Sequence, residues 1–225
     1  MGIREEQRRR TRDSILVAAA TEFDVRGYQA TTYSSIAARA GVAKSLVSYH
    51  FASKTDIVQA IMDVSFTQEG VFAAPPDLDQ APFDELALST VYVALQEQSD
   101  PIGRAVLRLE REAYLIDIEL PTPYIGWVQR CADTLERAVR VGDAPADIDV
   151  WFEAQLMVAG FVGLRELAES ARHYEGFTAR AVTNALDRYR SLGATPAALT
   201  SATERAVAAM READCDDIER IAARL

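Results

Sequence analysis

Cysteine, histidine, tryptophan and lysine each occur only twice in the 225 residues. Cys131 and Cys215 stand far apart with no CxxC pair, and His50 and His173 are isolated. A zinc site needs several such ligands at close spacing, so neither a metal nor a cofactor is expected. Two unpaired cysteines also suit a reducing compartment. The longest apolar run, Leu156 to Leu164, lies between Glu153 and Arg165 and falls far short of a bilayer span. The opening MGIREEQRRRTRD is charged rather than apolar, which speaks against a secretory segment and makes the cytoplasm the expected location, with no membrane partner. There is no nucleophile motif, no phosphate-cradling loop and no internal repeat, so an enzyme or a solenoid is not expected.

The chain is 49% hydrophobic and 26% charged, with 11 glycines and 8 prolines, a composition suited to a globular helical protein. Its net charge of -10 alone would argue against a nucleic-acid partner. That average hides an asymmetry. Residues 1–60 carry nine basic side chains against six acidic ones, a balance of +3, whereas the remainder holds 15 against 28, or -13. A basic module on an acidic body points to a nucleic-acid-facing segment.

Helical periodicity runs through the chain. Ile15, Leu16, Ala19 and Phe23 recur at helical spacing from Arg8 onward, and Gly27 is a plausible stop. Thr31 and Thr32 offer an N-cap to a short helix over Ser34 to Ala40, which Gly41 ends; a second short helix fits Lys44 to Phe51. Ser53 and Asp56 make a capping pattern that opens a longer helix to about Gln68. Gly70 to Pro82 breaks the pattern as an interhelical loop. Further helices are expected over Phe83 to Gln98, Ile102 to Glu119, Tyr124 to Val141, Asp147 to Tyr174, Phe177 to Leu192 and Ala197 to Arg211, separated at prolines and glycines. No convincing β-alternation appears. The expected fold is all-α: an N-terminal helix-turn-helix domain of three helices over 8–68 and a C-terminal helical domain over 69–225.

The informative stretch is TTYSSIAARAGVAKSLVSYHF, Thr31 to Phe51. Ile36, Ala37, Ala40, Val42 and Val47 can share one small core, with Ala37 small enough for a close helix crossing and Gly41 free to take a positive φ. With Val47 inward, Ala43, His50 and Phe51 lie near it, while Ser45 and Tyr49 point away and Lys44, Leu46 and Ser48 flank them. Short polar and aromatic groups on an exposed helix suit a DNA major groove. The expected DNA-facing set is Thr32, Lys44, Ser45, Ser48, Tyr49, His50 and Lys54, with Lys54 placed to add charge at a helix N-terminus favourable to phosphate. Both lysines of the chain fall in this segment.

From Arg8 to Ile61 the chain resembles the TetR family of one-component bacterial regulators, in the run FDVRGYQATTYSSIAARAGVAKSLVSYHFASKTDIV. Phe23, Gly27, Tyr28, Thr31, Ile36, Ala37, Gly41, Val42, Lys44, Tyr49, His50, Phe51, Ser53 and Lys54 fall at the family's spacing. The resemblance implies a homodimer, a palindromic double-stranded DNA operator and release when a small effector binds the C-terminal domain. Its dimer would rest on the two long helices beginning near Asp147 and Phe177. Two positions depart from the pattern: Ala43 stands where a Ser or Thr cap is usual, and Ser48 replaces a frequent aromatic.

Tyr92, Tyr114, Tyr124, Trp127, Phe152, Met157 and Phe161 are the candidates for a pocket for a small hydrophobic effector. The segments beginning PTPYIGWVQRC and AQLMVAGFVGLRELAES are similar to the γ-butyrolactone autoregulator receptors, a branch of the same family. That similarity implies that Trp127 faces a ligand. The competing reading is a helical ligand-binding or interaction protein without regulated DNA binding, against which the retained Lys44, Tyr49, His50 and Lys54 speak.

Overall fold

The computed structural model describes residues 2–65, 80–120, 124–171, 173–215 and 221. Among them are ten α-helices, one short 3-10 turn and no strand. The helices are α1 (Ile3–Ala30), α2 (Tyr33–Ala40), α3 (Lys44–His50), α4 (Lys54–Ser65), α5 (Pro82–Ser99), α6 (Pro101–Arg111), α7 (Ile125–Val141), α8 (Val150–Ala171), α9 (Phe177–Leu192) and α10 (Pro196–Glu212). The all-helical expectation holds. The expected break at Pro121 and Pro123 and nearly all of the loop from Gly70 to Pro82, as well as the boundary at 68–69, lie outside the described residues.

The chain divides into two compact units, Met1–Ala73 with Ser99–Pro123 and Ala74–Gln98 with Tyr124–Leu225. Residues 99–120, read from the sequence as part of the C-terminal domain, thus pack with the N-terminal helices. The reason is chemical. Along α6, Ala105, Val106 and Leu109 join the core formed by Ile15, Phe23, Ile36, Val47, Ile57 and Ile61. On the same helix Arg104 Nε donates to Asp24 Oδ2 at 2.8 Å, and Arg108 Nη1 donates to the Asp24 carbonyl at 2.5 Å.

Gly27 is where α1 turns. Its φ of +79° and ψ of 173° interrupt the helix, and the next backbone N–H, that of Tyr28, donates to Glu112 Oε2 at 2.6 Å. A Cβ on Gly27 would stand 2.6 Å from Glu112 Oε1. Glu112 is also the C-cap of α6, so the helix expected to reach Glu119 stops at Arg111 and continues as a 3-10 turn over Ala113–Leu115. No glycine or proline marks this end locally. Its cause lies 84 residues upstream, at Tyr28.

The second unit packs α5, α7, α8, α9 and α10 around Phe83, Leu135, Val158, Leu186, Tyr189 and Met210. Polar ties fix the crossings: Arg137 Nη1 donates to Glu85 Oε2, Arg188 Nε to Glu153 Oε2 at 2.7 Å and Gln98 Nε2 to Thr178 Oγ1 at 2.9 Å. Helix α8 begins later than Asp147 because the Asp149 side chain accepts from the Phe152 N–H at 3.0 Å. At Gly160 the close approach of Asn184 leaves no room for a side chain: a Cβ would meet Asn184 Nδ2 at 2.4 Å. No described helix is long and apolar enough to cross a membrane.

Candidate nucleic-acid interface and a closed cavity

Helix α2 opens with a reciprocal capping box, in which the Thr32 hydroxyl accepts from the Ser35 N–H and the Ser35 hydroxyl accepts from the Thr32 N–H. It closes on Gly41 at φ +67°, the left-handed geometry that a glycine adopts without strain. Ile36, Ala37 and Val47 are buried as expected, Ala40 and Val42 only partly. With Val47 turned inward, Lys44, Ser45, Ser48 and Tyr49 are exposed, Tyr49 at 66%. Ser48 Oγ donates back to the Ser45 carbonyl at 3.0 Å, leaving its lone pairs outward. The N-cap of α3 is Ala43, and no side chain caps it. The missing cap is worth about 0.5–2 kcal/mol of helix stability.

This small module is held by polar ties as well as by its core. The buried Glu22 carboxylate, only 2% exposed, takes Arg39 Nε at 2.6 Å and Arg26 Nε at 3.0 Å, joining α1 to α2. Burial alone would raise the Glu22 pKa. Hydrogen bonds from Arg39 and Ser35 and the nearby Arg26 charge outweigh it and hold the carboxyl below its ordinary range. Tyr33 Oη donates to the Phe51 carbonyl at 2.9 Å and so fixes the end of α3. Sequence reasoning missed this tie, because a tyrosine in a helix gives no sign of which carbonyl it reaches.

Lys54 is placed differently from the expectation. Its ammonium donates to the carbonyls of Tyr28 at 2.6 Å and Thr31 at 3.2 Å and sits 4.1 Å from the Tyr28 ring centroid. It therefore closes the C-terminus of α1, where a cation complements the helix dipole. Burial lowers its pKa. His50 is half-buried and edge-on to Tyr49, with ring centroids 5.2 Å apart. Its pKa is lowered by burial first and then by the positive charges of Arg8 and Arg12.

In the second unit, Trp127, Met157 and Phe161 come together around one cavity, with Trp127 and Phe161 edge-to-face at 5.0 Å between centroids. The space open to the centre of a water-sized sphere is only about 20 Å³, room for about one water. Sequence reasoning missed the polar lining: Ser89 and Thr90 from α5, Asn184 and Tyr189 from α9. Cys131 also lines the cavity, and burial pushes its thiol up to about 12, so it carries no thiolate at neutral pH. Among the described residues no charged side chain lines the space.

The other expected effector residues lie apart from it. Tyr124 Oη accepts from Arg165 Nη2 at 3.2 Å, and Tyr92 Oη accepts from Gln96 Nε2. Phe152 is 52% exposed on α8. Tyr114 belongs to the N-terminal unit, 83% exposed in the 3-10 turn, because α6 ends before it. No group of three or more potential metal ligands occurs among the described residues.

Residues 15–61 match the family described as bacterial regulatory proteins, tetR family, and residues 81–186 match the tetracyclin repressor-like C-terminal domain. The A-factor receptor protein of Streptomyces griseus is 33% identical over 162 residues, which are 70% of this chain and 54% of that one. The CprB protein of Streptomyces coelicolor, solved in complex with its biological operator sequence, is 32% identical with a TM-score of 0.66, covering 92% of this chain and 98% of that one. A solved γ-butyrolactone receptor described as ArpA-like is 29% identical with a TM-score of 0.68, covering 91% of this chain and 97% of that one. Both family matches and these relatives are regulators rather than enzymes. With the helix-turn-helix at Tyr33–His50 in place and the C-terminal match beside it, the chain belongs to the TetR family of DNA-binding bacterial regulators.

Proposed function

We propose that the protein is a transcriptional repressor that binds a palindromic operator as a homodimer and releases it when a small, neutral, largely apolar effector enters the C-terminal unit. The exposed outward face of α3 carries this reading. Lys44, Ser45, Ser48 and Tyr49 stand on it while Val47 anchors the opposite face. Thr32, exposed at the N-cap of α2, reaches the backbone beside them, and His50 lines the edge. Phosphate contacts position such a helix and base-edge contacts give it specificity. Lys54 contributes by fixing the end of α1 beneath the module.

Helix α8 supports a dimer. Phe152, Ala159, Gly163 and Leu167 are exposed at helical spacing along one face, and a Cβ at Gly163 would meet nothing within 4 Å. A self-complementary surface of this kind suits a twofold partner. In the cavity, hydroxyl and amide groups among aromatics suit an uncharged ligand with one or two hydrogen-bonding groups, such as a lipophilic lactone. The relatives that are receptors for such molecules support this class. A drug-sized ligand needs roughly 300 Å³ or more. Seating one requires Trp127 or Met157 to move.

The test is a gel shift with the protein's own upstream region. The double variant Lys44→Ala, Tyr49→Ala is expected to remain a folded dimer and to lose retention. Unchanged retention would sink the recognition-helix assignment. In the same assay a panel of lipophilic lactones is expected to release the wild-type protein, with Trp127→Ala blunting that release.

A further inference from the structure

The first four turns of α1 lie largely ahead of residue 15, where the family match begins, so nothing in that match assigns them. They carry five arginines, Arg4, Arg8, Arg9, Arg10 and Arg12, of which the last four fall into two pairs. Arg9 Nη2 and Arg10 Nε both reach Glu6, at 2.8 and 3.0 Å, and share its single negative charge. Arg8 and Arg12 have no carboxylate partner among the described residues. Their guanidinium carbons lie instead 5.6 Å from the Tyr49 ring centroid and 5.0 Å from that of Phe51.

We propose that Arg8 and Arg12, lying over the Tyr49 and Phe51 rings at the end of the recognition helix, are a second phosphate-contact site on duplex DNA. Arg8 and Arg12 sit one turn apart on the same face of α1, about 6 Å along its axis. Tyr49 is among the most exposed side chains of the outward face, so a group lying over its ring borders the same surface. A guanidinium that rests over a ring spends none of its N–H donors on a carboxylate there, so they remain available to take a phosphate in a bidentate fork. Both arginines are themselves exposed. The pair thus extends the positive edge of α3 beyond its one exposed cation, Lys44, and holds Tyr49 in place. The inference rests on the DNA-binding reading and adds residues to it.

The experiment measures the affinity of the full chain for its upstream duplex and for a random-sequence 30-mer duplex across a salt series, by fluorescence anisotropy. Arg8→Ala and Arg12→Ala are each expected to weaken binding to both duplexes and to reduce the salt slope by about one, the double variant by about two. Arg8→Lys, which keeps the charge, is expected to retain the slope. Arg9→Ala, which removes a guanidinium that reaches Glu6 rather than lying over Tyr49 or Phe51, is expected to leave the slope near wild type. An unchanged slope in the double variant, even with weaker operator binding, would reduce the pair to packing against Tyr49 and overturn the assignment alone. An equal slope loss in Arg9→Ala would attribute the effect to the general charge of α1 and overturn it too. Failure of the wild-type chain to bind either duplex would overturn the DNA-binding reading and this assignment with it.

Discussion

The two units keep their working groups in opposite places. On the N-terminal unit the groups proposed for function are mostly exposed and polar, and the module beneath them is tied by ionic and carbonyl contacts at the buried Glu22 and the half-buried Lys54 and Glu112. In the C-terminal unit they are buried or half-buried, uncharged and in part aromatic, around a space that holds about one water. A surface meant for a polyanion must be pre-formed and rigid, because mobile side chains lose entropy on docking. A cavity meant for an apolar molecule has to be mostly closed when empty, since packed interiors leave few voids.

The largest expected effect attacks the rigid half of that contrast. Gly27→Ala places a Cβ against the Glu112 carboxylate at a φ that L-residues adopt with strain. It is expected to cost about 2–3 kcal/mol, from that strain together with the loss of a charge-assisted hydrogen bond. Hydrogen exchange should place the loss in α1 and α6, with amides of α8 and α9 protected as before. Equal loss in both units would show that the two are not separately stabilised.

A middle-sized effect concerns Glu22. Because its folded pKa lies below the ordinary value of 4.5, the stability it contributes is complete above that pH and disappears as the pH falls through the depressed value. Glu22→Gln is therefore expected to cost about 1–2 kcal/mol at neutral pH, less than a fully buried charged bond because Arg39 and Arg26 reach solvent. It should also flatten the acid limb of the unfolding curve. A variant as acid-sensitive as wild type would remove Glu22 from the account.

The smallest effect sharpens the comparison in the other direction. Ala43→Ser restores a side-chain cap to α3 and is expected to raise stability by about 1 kcal/mol, read as a shift in thermal midpoint. A loss of stability would show that the missing cap is already compensated.

What was readable in the sequence follows the same division. The inward and outward faces of α3 come from spacing within seven residues, and burial of Val47 with exposure of Ser45 and Tyr49 follows directly. The partners of Lys54 are not legible in the sequence, because they are carbonyls 23 to 26 residues upstream that carry no side-chain signature. Helix α6 was assigned to the C-terminal domain because its ties to Asp24 and Tyr28 span 80 residues or more. Aromatic and sulfur side chains point to Trp127, Met157 and Phe161 but cannot separate them from Phe152 and Tyr114, since exposure is decided by which helix faces which. Asn184 carries no such signal in the sequence, because only the close approach of α9 to Gly160 of α8 brings it to the cavity.

The closed cavity has a quantitative consequence. A ligand that seats between Trp127 and Met157 binds only those molecules in which the space has opened, so its apparent dissociation constant is the intrinsic one divided by the open fraction. Substitutions outside the lining that loosen the packing behind Met157 or Phe161 would then lower the dose needed for response. Sensitivity and chemical selectivity could in this way drift independently, one through the packing of α8, the other through Ser89, Thr90 and Asn184.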